Sequence, residues 1–544
     1  MFSVHSLARV AACALLGITV AGCPERQEPA KPLGAEALAW RADCPPIVRP
    51  APLSLDAARE AYRAAEARHE LRLREAANPG AFMRSVKSGT GTGFPQPYSS
   101  PTAQAAVASL PANGISAANP APGFCLSELA ETGQLLFDHE YGYADGLGSG
   151  DAARSEKGPF RRVHEGLFGG PETISCPSCH WVGGPNGAGA ETDNVFLSGD
   201  GLAPDSGDTR NSPALVALGV VEALAREMTA DLQAQRAALA KESAREGTAR
   251  EQRLVSKGVD FGVLRATADG SIDASGLDGV DDDLVVKPFG WKGTRPDITG
   301  FVTEALQAHI GIQTDDLLAE GVEAAGSGDA SDPDGDGLRD EFGSRALAAL
   351  TAHLALLELP IVEPLVQDRN LEPAAQGLRA PTTTSFVEDF ARGREQFHAL
   401  GCASCHRPMM VLENPVIEIA GLPPIDLSRT MRRPALQYDE QLKGYPVWLF
   451  SDLKRHRMGR ANVALHRQRA VARNQYLTPR LWGVADSAPY LHDGRAPSFD
   501  YAIAGHDGEG RAARRAFAAL GFEEKGALRV YLMSLRRAPR VMVP

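Results

Sequence analysis

Two pentapeptides carry the most specific chemistry in the chain: Cys176-Pro177-Ser178-Cys179-His180 and Cys402-Ala403-Ser404-Cys405-His406. Both read C-x-x-C-H. Two thiols at this spacing can add to the two vinyl groups of one haem. The histidine that follows then lies under the iron as its axial ligand. Two other chemistries use a C-x-x-C pair. A thioredoxin-type redox pair needs a βαβ setting, and neither motif has one in its flanking sequence. A closed zinc site would pair the two motifs with little sequence between them, whereas here a long stretch intervenes. The expectation is therefore two covalently bound haem c groups, held by Cys176, Cys179 and His180 and by Cys402, Cys405 and His406.

A helical segment precedes each motif: LSELAETGQLLFDHE from Leu126 and FVEDFARGREQFHAL from Phe386. Gly393 and Phe397 stand on the second, shortly before Gly401-Cys402. Gly133 and Phe137 are the matching pair on the first. There a Gly- and acid-rich insertion, EYGYADGLGSGDAARSEKG, separates the helix from the motif. Few alternating β-branched runs occur, so the pattern predicts a mainly α protein. Residues 222–256 read as a long helical stretch, polar on most sides, forming a solvent-facing arm or hairpin. Residues 366–383 read as a linker.

Composition bounds the partners. Apolar residues make up 43% and charged residues 23% of 544, near the soluble globular average, which excludes a wholly disordered or fibrous chain. The net charge of −12 argues against nucleic acid as the main partner. The start, MFSVHSLARVAACALLGITVAGC, has a positive residue, a short apolar stretch and small residues before Cys23, as a secretory signal does. Val20-Ala21-Gly22-Cys23 resembles a bacterial lipobox. That resemblance implies cleavage before Cys23, a lipid on its sulfur, and anchoring to the periplasmic side of a bacterial membrane. Eight cysteines are present. Once the motifs, Cys13 and Cys23 are set aside, Cys44 and Cys125 remain. In an oxidising compartment they read as one disulfide, or else as two unpaired buried thiols.

Further segments carry a family resemblance. They are Arg210-Asn211-Ser212-Pro213-Ala214-Leu215, Pro288-Phe289-Gly290-Trp291-Lys292-Gly293, Ser451-Asp452-Leu453 with Met458-Gly459, and TPRLWGVADSAPYLHDGRAPSFDYAIAGHDGEG from Thr478. With the two haem motifs, these resemble the bacterial di-haem cytochrome c peroxidase superfamily, most of all its di-haem oxidoreductase branch. The similarity runs from about Leu126 to Leu535, interrupted by insertions. It implies two cytochrome c-like domains, each with one covalent haem, behind a loosely structured N-terminal extension. The expected boundaries are a lipoprotein signal at 1–22, a tether with one helix at 23–124, a first haem domain at 125–365 and a second at 384–544. The implied activity is peroxide reduction at the N-terminal haem. Electrons would enter through the C-terminal haem from a small cytochrome or cupredoxin. A membrane-tethered electron carrier with both irons closed is the competing function.

The resemblance also implies roles for single residues. Relatives bind the second haem through a Met beyond the His-Asp-Gly element, and the same offset from His492 falls on His506, with Met458 as runner-up. For the first haem, relatives carry a distal His after C-x-x-C-H, and WVGGPNGAGAETDNVFLSGDGLAPDSGDTRN has none. His309 is the next candidate, as a proton shuttle, an iron ligand, or a plain helix-face histidine. Trp291 matches the family's tryptophan turn and would assist electron hopping, or fill core. Trp482 and Tyr490 would pack near the second porphyrin, and Arg495 would contact a haem propionate. Separately, Asp332, Asp334, Asp336 and Asp340 alternate around Gly337 in a calcium-like loop. Its twelfth position is Gly343, which excludes a true EF-hand; a solvated acidic loop is the other reading.

Overall fold

The computed structural model describes residues 125–142, 145–147, 172–190, 195–197, 206–314, 338, 341–360, 386–430 and 436–537. All of them belong to one compact unit, Leu38–Pro544. The signal with Cys23, the tether with Cys44, the Asp332–Asp340 loop and the 366–383 linker lie outside the described residues.

Nine α-helices occur among the described residues: α1 (Leu126–Asp138), α2 (Leu218–Glu246), α3 (Ile298–Ala305), α4 (Ser344–Ala355), α5 (Phe386–Ala399), α6 (Leu427–Thr430), α7 (Phe499–Ala504), α8 (Arg511–Ala519) and α9 (Phe522–Ser534). Helix α1 buries Leu126, Leu129, Ala130, Gly133, Leu136 and Phe137, the spacing of one helical face. That face packs on α4. Helix α5 packs on α9 in the same way. In both pairs a glycine stands at the closest approach. A Cβ on Gly133 would collide with the Ala349 carbonyl and the His353 Cβ, and one on Gly393 with the Ala527 carbonyl and the Tyr531 Cβ. Phe137 and Phe397, one turn further along, are both buried. The same device is thus built twice, once before each C-x-x-C-H.

The expectation of a mainly α protein with two cytochrome c-like haem domains is overturned. Among the described residues about 41% are helical and 16% are in strands or bridges, which makes the fold mixed α/β. Most strands are only two or three residues long, in antiparallel pairs: 195–197 with 208–210, 410–412 with 445–447, 416–417 with 425–426, and 455–457 with 475–477. Runs this short carry no readable alternation. The longest pair was hidden differently. Helix α2 stops at Gly247 in the left-handed region (φ 63°). Strands 250–256 and 259–266 follow, joined through Lys257 and Gly258, both at positive φ, and residues 272–273 complete the sheet. That is the backbone of a tight two-residue hairpin turn. Polar composition continues across the helix stop, so the stretch read as a single helical arm. Nor is α2 wholly solvent-facing: it buries Val220, Val221, Leu224, Met228 and Leu232.

The larger buried core also departs from the two-domain expectation. It runs from Leu126 to Leu357, and takes in Met410, Leu412, Ile417, Ile425, Leu449 and Trp482 as well. Residues beyond the second motif therefore help to build the core around the first. A second cluster holds Phe390, Phe397, Phe450, Leu528 and Tyr531.

Because the added methyl meets backbone rather than a movable side chain, Gly133→Ala and Gly393→Ala should each destabilise the fold by roughly 1–3 kcal/mol. Denaturant unfolding of the two variants beside wild type checks this. A loss below ~0.5 kcal/mol at both sites would show that the crossings have room to spare.

Candidate functional site

The first motif lies beneath the α1/α4 crossing. Residues Cys176–Ser178 form a 3₁₀ turn, closed by Cys179 N–H donating to the Cys176 carbonyl. The hydroxyls of Ser175 and Ser178 are 2.9 Å apart across its base. The His180 ring lies 6.4 Å from Phe137, and Phe137 lies 5.8 Å from the buried His353 ring. Cys176, Cys179 and His180 line a cavity together with Arg210, Trp291 and His309. It encloses about 1140 Å³ of atom-free space, open mouth included, with a mostly apolar lining. An apolar lining with a few polar groups suits an organic group.

The walls fit a haem. Burial pushes the Cys176 thiol up to about 12 and pulls His180 down to about 4. His180 is thus neutral near pH 7, as a metal-binding imidazole must be. Its Nδ1 faces the Gly187 carbonyl at 3.2 Å, which leaves Nε2 as the free nitrogen. Arg210 is buried, and its Nε has no partner among the described residues. A haem propionate would supply the missing acceptor.

His309 is positioned by an irregularity. Helix α3 passes into a π-helical turn, Leu306–Ile310, ended by Gly311 at φ 87°. Such turns re-aim side chains and recur at functional sites. Glu172 then holds His309 twice. Its carboxylate accepts from Nδ1 at 2.7 Å, and its backbone N–H donates to the His309 carbonyl at 2.8 Å. The Glu172 side chain is 5% exposed. Glu172 was invisible in the sequence, because 137 positions separate the pair.

The second motif repeats the first. Cys402–Ser404 form a 3₁₀ turn after Gly401 at φ 83°, and Ser404 Oγ donates to the Gly401 carbonyl. His406 Nδ1 faces the Phe450 carbonyl at 3.3 Å, and His506 Nδ1 faces the Ala502 carbonyl at 2.8 Å. The two ring centroids lie 6.2 Å apart, with the ring planes inclined at 61°. Imidazole nitrogen binds a first-row metal at about 2 Å, so two rings on opposite sides of one ion have centroids roughly 6 Å apart. The pair has that separation. Burial pulls His406 down to about 4 and lowers His506 as well. Met458, the runner-up, is half-buried at the end of strand 455–457.

Other expected residues are placed as follows. Trp482 is buried in the larger core. Tyr490 stacks on Phe499 at 4.8 Å. The exposed Arg495 donates to Asp493, to the Ala461 carbonyl and to Asn462. Cys125 is buried and disulfide-bonded. The other described cysteines, Cys176, Cys179, Cys402 and Cys405, form no disulfide, so its partner lies outside the described residues. One cluster escaped the sequence reading altogether. His456 sits between Asp452 (2.8 Å) and Glu509 (2.6 Å), with Cys405 Sγ at 3.9 Å. Burial opposes its charge, but the hydrogen bond to Asp452 prevails and carries it up to about 11. Glu509 is contributed from 53 positions away, so no local motif announces it.

Trp291 links the first cavity to the C-terminal segment. Its Nε1 donates to the Asn211 carbonyl at 2.7 Å, and its own carbonyl accepts from Leu477 N–H at 2.9 Å. The neighbouring Lys292 is fully buried. Its ammonium donates to the carbonyls of Ala472 and Arg473 and lies 3.8 Å from the centre of the Tyr476 ring. Burial, aided by Arg210, lowers its pKa to about 7. The unfolded chain therefore binds the extra proton between pH 7 and the ordinary lysine value, and stability rises with pH across that window. Lys292→Met lacks this dependence. Wild type should gain stability on the variant from pH 7 to pH 10, read as the difference between their denaturation midpoints. A constant difference would mean that Lys292 titrates normally.

No curated protein matches the chain. Residues 366–535 match a family model described as "Di-haem oxidoreductase, putative peroxidase". The matched stretch contains the second motif, His456, Tyr476, His492 and His506. That stretch is thus similar to the di-haem oxidoreductases, a family whose name implies haem cofactors.

Proposed function

We propose that this oxidoreductase is an exported, lipid-anchored enzyme that reduces hydrogen peroxide in the first cavity and takes its electrons from a small cytochrome or cupredoxin. The observation that carries the proposal is the cavity holding Cys176, Cys179 and His180 on one wall and a carboxylate-clamped His309 on the same lining. In this reading Cys176 and Cys179 hold one haem by thioether bonds, and Cys402 and Cys405 hold the other. His180 would bind the iron of the first haem, and His406 and His506 that of the second. A bound haem would supply the redox-active iron.

The chain's own groups do the rest. Glu172 fixes the Nδ1–H tautomer of His309, so Nε2 is free to act. Nε2 takes a proton from one peroxide oxygen and returns it to the departing oxygen, which general acid–base catalysis rewards. The apolar lining excludes bulk water. Trp291 lies on the electron path into the cavity. Cys23 carries the lipid, Cys44 pairs with Cys125, and Asp332, Asp334, Asp336 and Asp340 bind calcium.

The competing reading is an electron carrier in which His309 binds the first iron. Both His180 and His309 line the cavity, which is the specific observation in its favour. Optical and EPR spectra of the ferric protein separate the two. A high-spin signal that disappears with peroxide is expected. His309→Ala should slow the reaction by about 100-fold, and Glu172→Gln by about tenfold. Two low-spin haems, inert to peroxide before and after one-electron reduction, would support the carrier and overturn the enzyme. High-spin iron appearing only in His309→Ala would do the same.

A further inference from the structure

A buried tyrosine and histidine stand directly behind the first cavity and take no part in the chemistry described so far. Tyr476 is 6% exposed and His492 is 8% exposed. The phenol oxygen is 3.3 Å from His492 Nε2, and the two rings are 4.5 Å apart at 31°. Burial pushes the phenol up to about 12 and pulls the imidazole down to about 2, with Arg210, Arg495 and Lys292 adding to the second effect. At neutral pH the tyrosine is therefore protonated and the histidine is not. The phenol is a donor aimed at an unprotonated ring nitrogen.

Both residues are tied to the cavity lining through short links. His492 accepts from Asn211 N–H through its carbonyl at 2.7 Å. Asn211 lines the cavity and accepts from Trp291 Nε1. Leu477, next to Tyr476, donates to the Trp291 carbonyl. The Lys292 ammonium covers the face of the Tyr476 ring. When protonated, that amine makes the ring harder to oxidise.

Resting on the peroxide-reducing reading of the cavity, we propose that Tyr476 is a one-electron donor to that cavity, with His492 Nε2 as the acceptor of its phenolic proton. A haem held by Cys176, Cys179 and His180 would supply the oxidant after reacting with peroxide. Tyr476 gives it one electron. The phenol O–H bond breaks, an N–H bond forms at His492 Nε2, and the oxidant is reduced by one electron. The products are a neutral phenoxyl and an imidazolium. An electron from the donor protein, with the same proton returned from Nε2, restores the phenol. His492 has no iron-binding role in this proposal; it is a positioned base for Tyr476.

Two arms test the pair in the haem-loaded protein. In the first, peroxide is added and the sample is freeze-quenched for EPR. Wild type should give a tyrosyl signal that Tyr476→Phe abolishes, while the ferric haem spectrum of the variant stays that of wild type. His492→Phe keeps a ring in place but offers no proton acceptor, and phenoxyl formation should slow by about 100-fold. In the second arm a flash-generated ruthenium(III) polypyridyl complex replaces peroxide as the oxidant. A phenoxyl that depends on both Tyr476 and His492 under the flash supports the pair even where peroxide leaves the haem unchanged; that combination overturns the peroxide reading alone. A flash-generated tyrosyl signal that survives in Tyr476→Phe, or a yield and rate indifferent to His492→Phe, overturns the pair. Ring-deuterated tyrosine collapses the hyperfine splitting of a true tyrosyl signal without altering packing, so a fold defect cannot imitate the result.

Discussion

The contact on which both candidate sites depend is backbone against backbone. At Gly133 and at Gly393 one helix comes so close to another that no side chain fits between them. The crossings set the height of α1 over α4 and of α5 over α9, and so bring Phe137 and Phe397 down onto the loops that carry the cysteines. Close packing makes this arrangement stiff: a dense interior offers no space into which a helix can slide. The C-x-x-C-H loops, short and nearly without regular structure, inherit their geometry from helices that are held apart by hydrogen atoms alone.

A second principle governs the imidazoles. His180, His406 and His506 each turn Nδ1 to a backbone carbonyl, which orients the ring and leaves Nε2 for a ligand. Burial suppresses the charge on all three. His309 breaks the pattern, since a buried carboxylate stands where the others have a carbonyl. At His456 the hydrogen bond to Asp452 outweighs burial and keeps the ring charged. One residue type thus serves different purposes, and its burial and hydrogen-bond partners decide among them.

The two halves of the chain are also less separate than two strung domains would be. Strands 410–412 and 416–417 pack on α2, and Lys292 reaches across to the carbonyls of Ala472 and Arg473. Asp208 accepts from the backbone of Leu465 and His466. Trp291, Asn211, Tyr476 and His492 meet in this shared interior. This continuity costs the protein the modularity that its two similar helix pairs suggest.

What could be read from the chain alone was whatever is local. The C-x-x-C-H spacing, the glycine and phenylalanine one turn apart on each preceding helix, and the helical faces of α1 and α5 are all properties of neighbouring residues. The offset that singled out His506 came from likeness to relatives; the fold brings its ring centroid within 6.2 Å of that of His406. The strands were illegible because pairs of two or three residues gain their stability from what lies on them, not from their own alternation. Glu172 beside His309, Glu509 beside His456 and Tyr476 beside His492 were illegible for a different reason. Each pair joins distant segments, and an imidazole's proton affinity depends on the atoms that surround it after folding. Residue type names the group that can carry a proton; only the tertiary structure decides which group does, and in which direction.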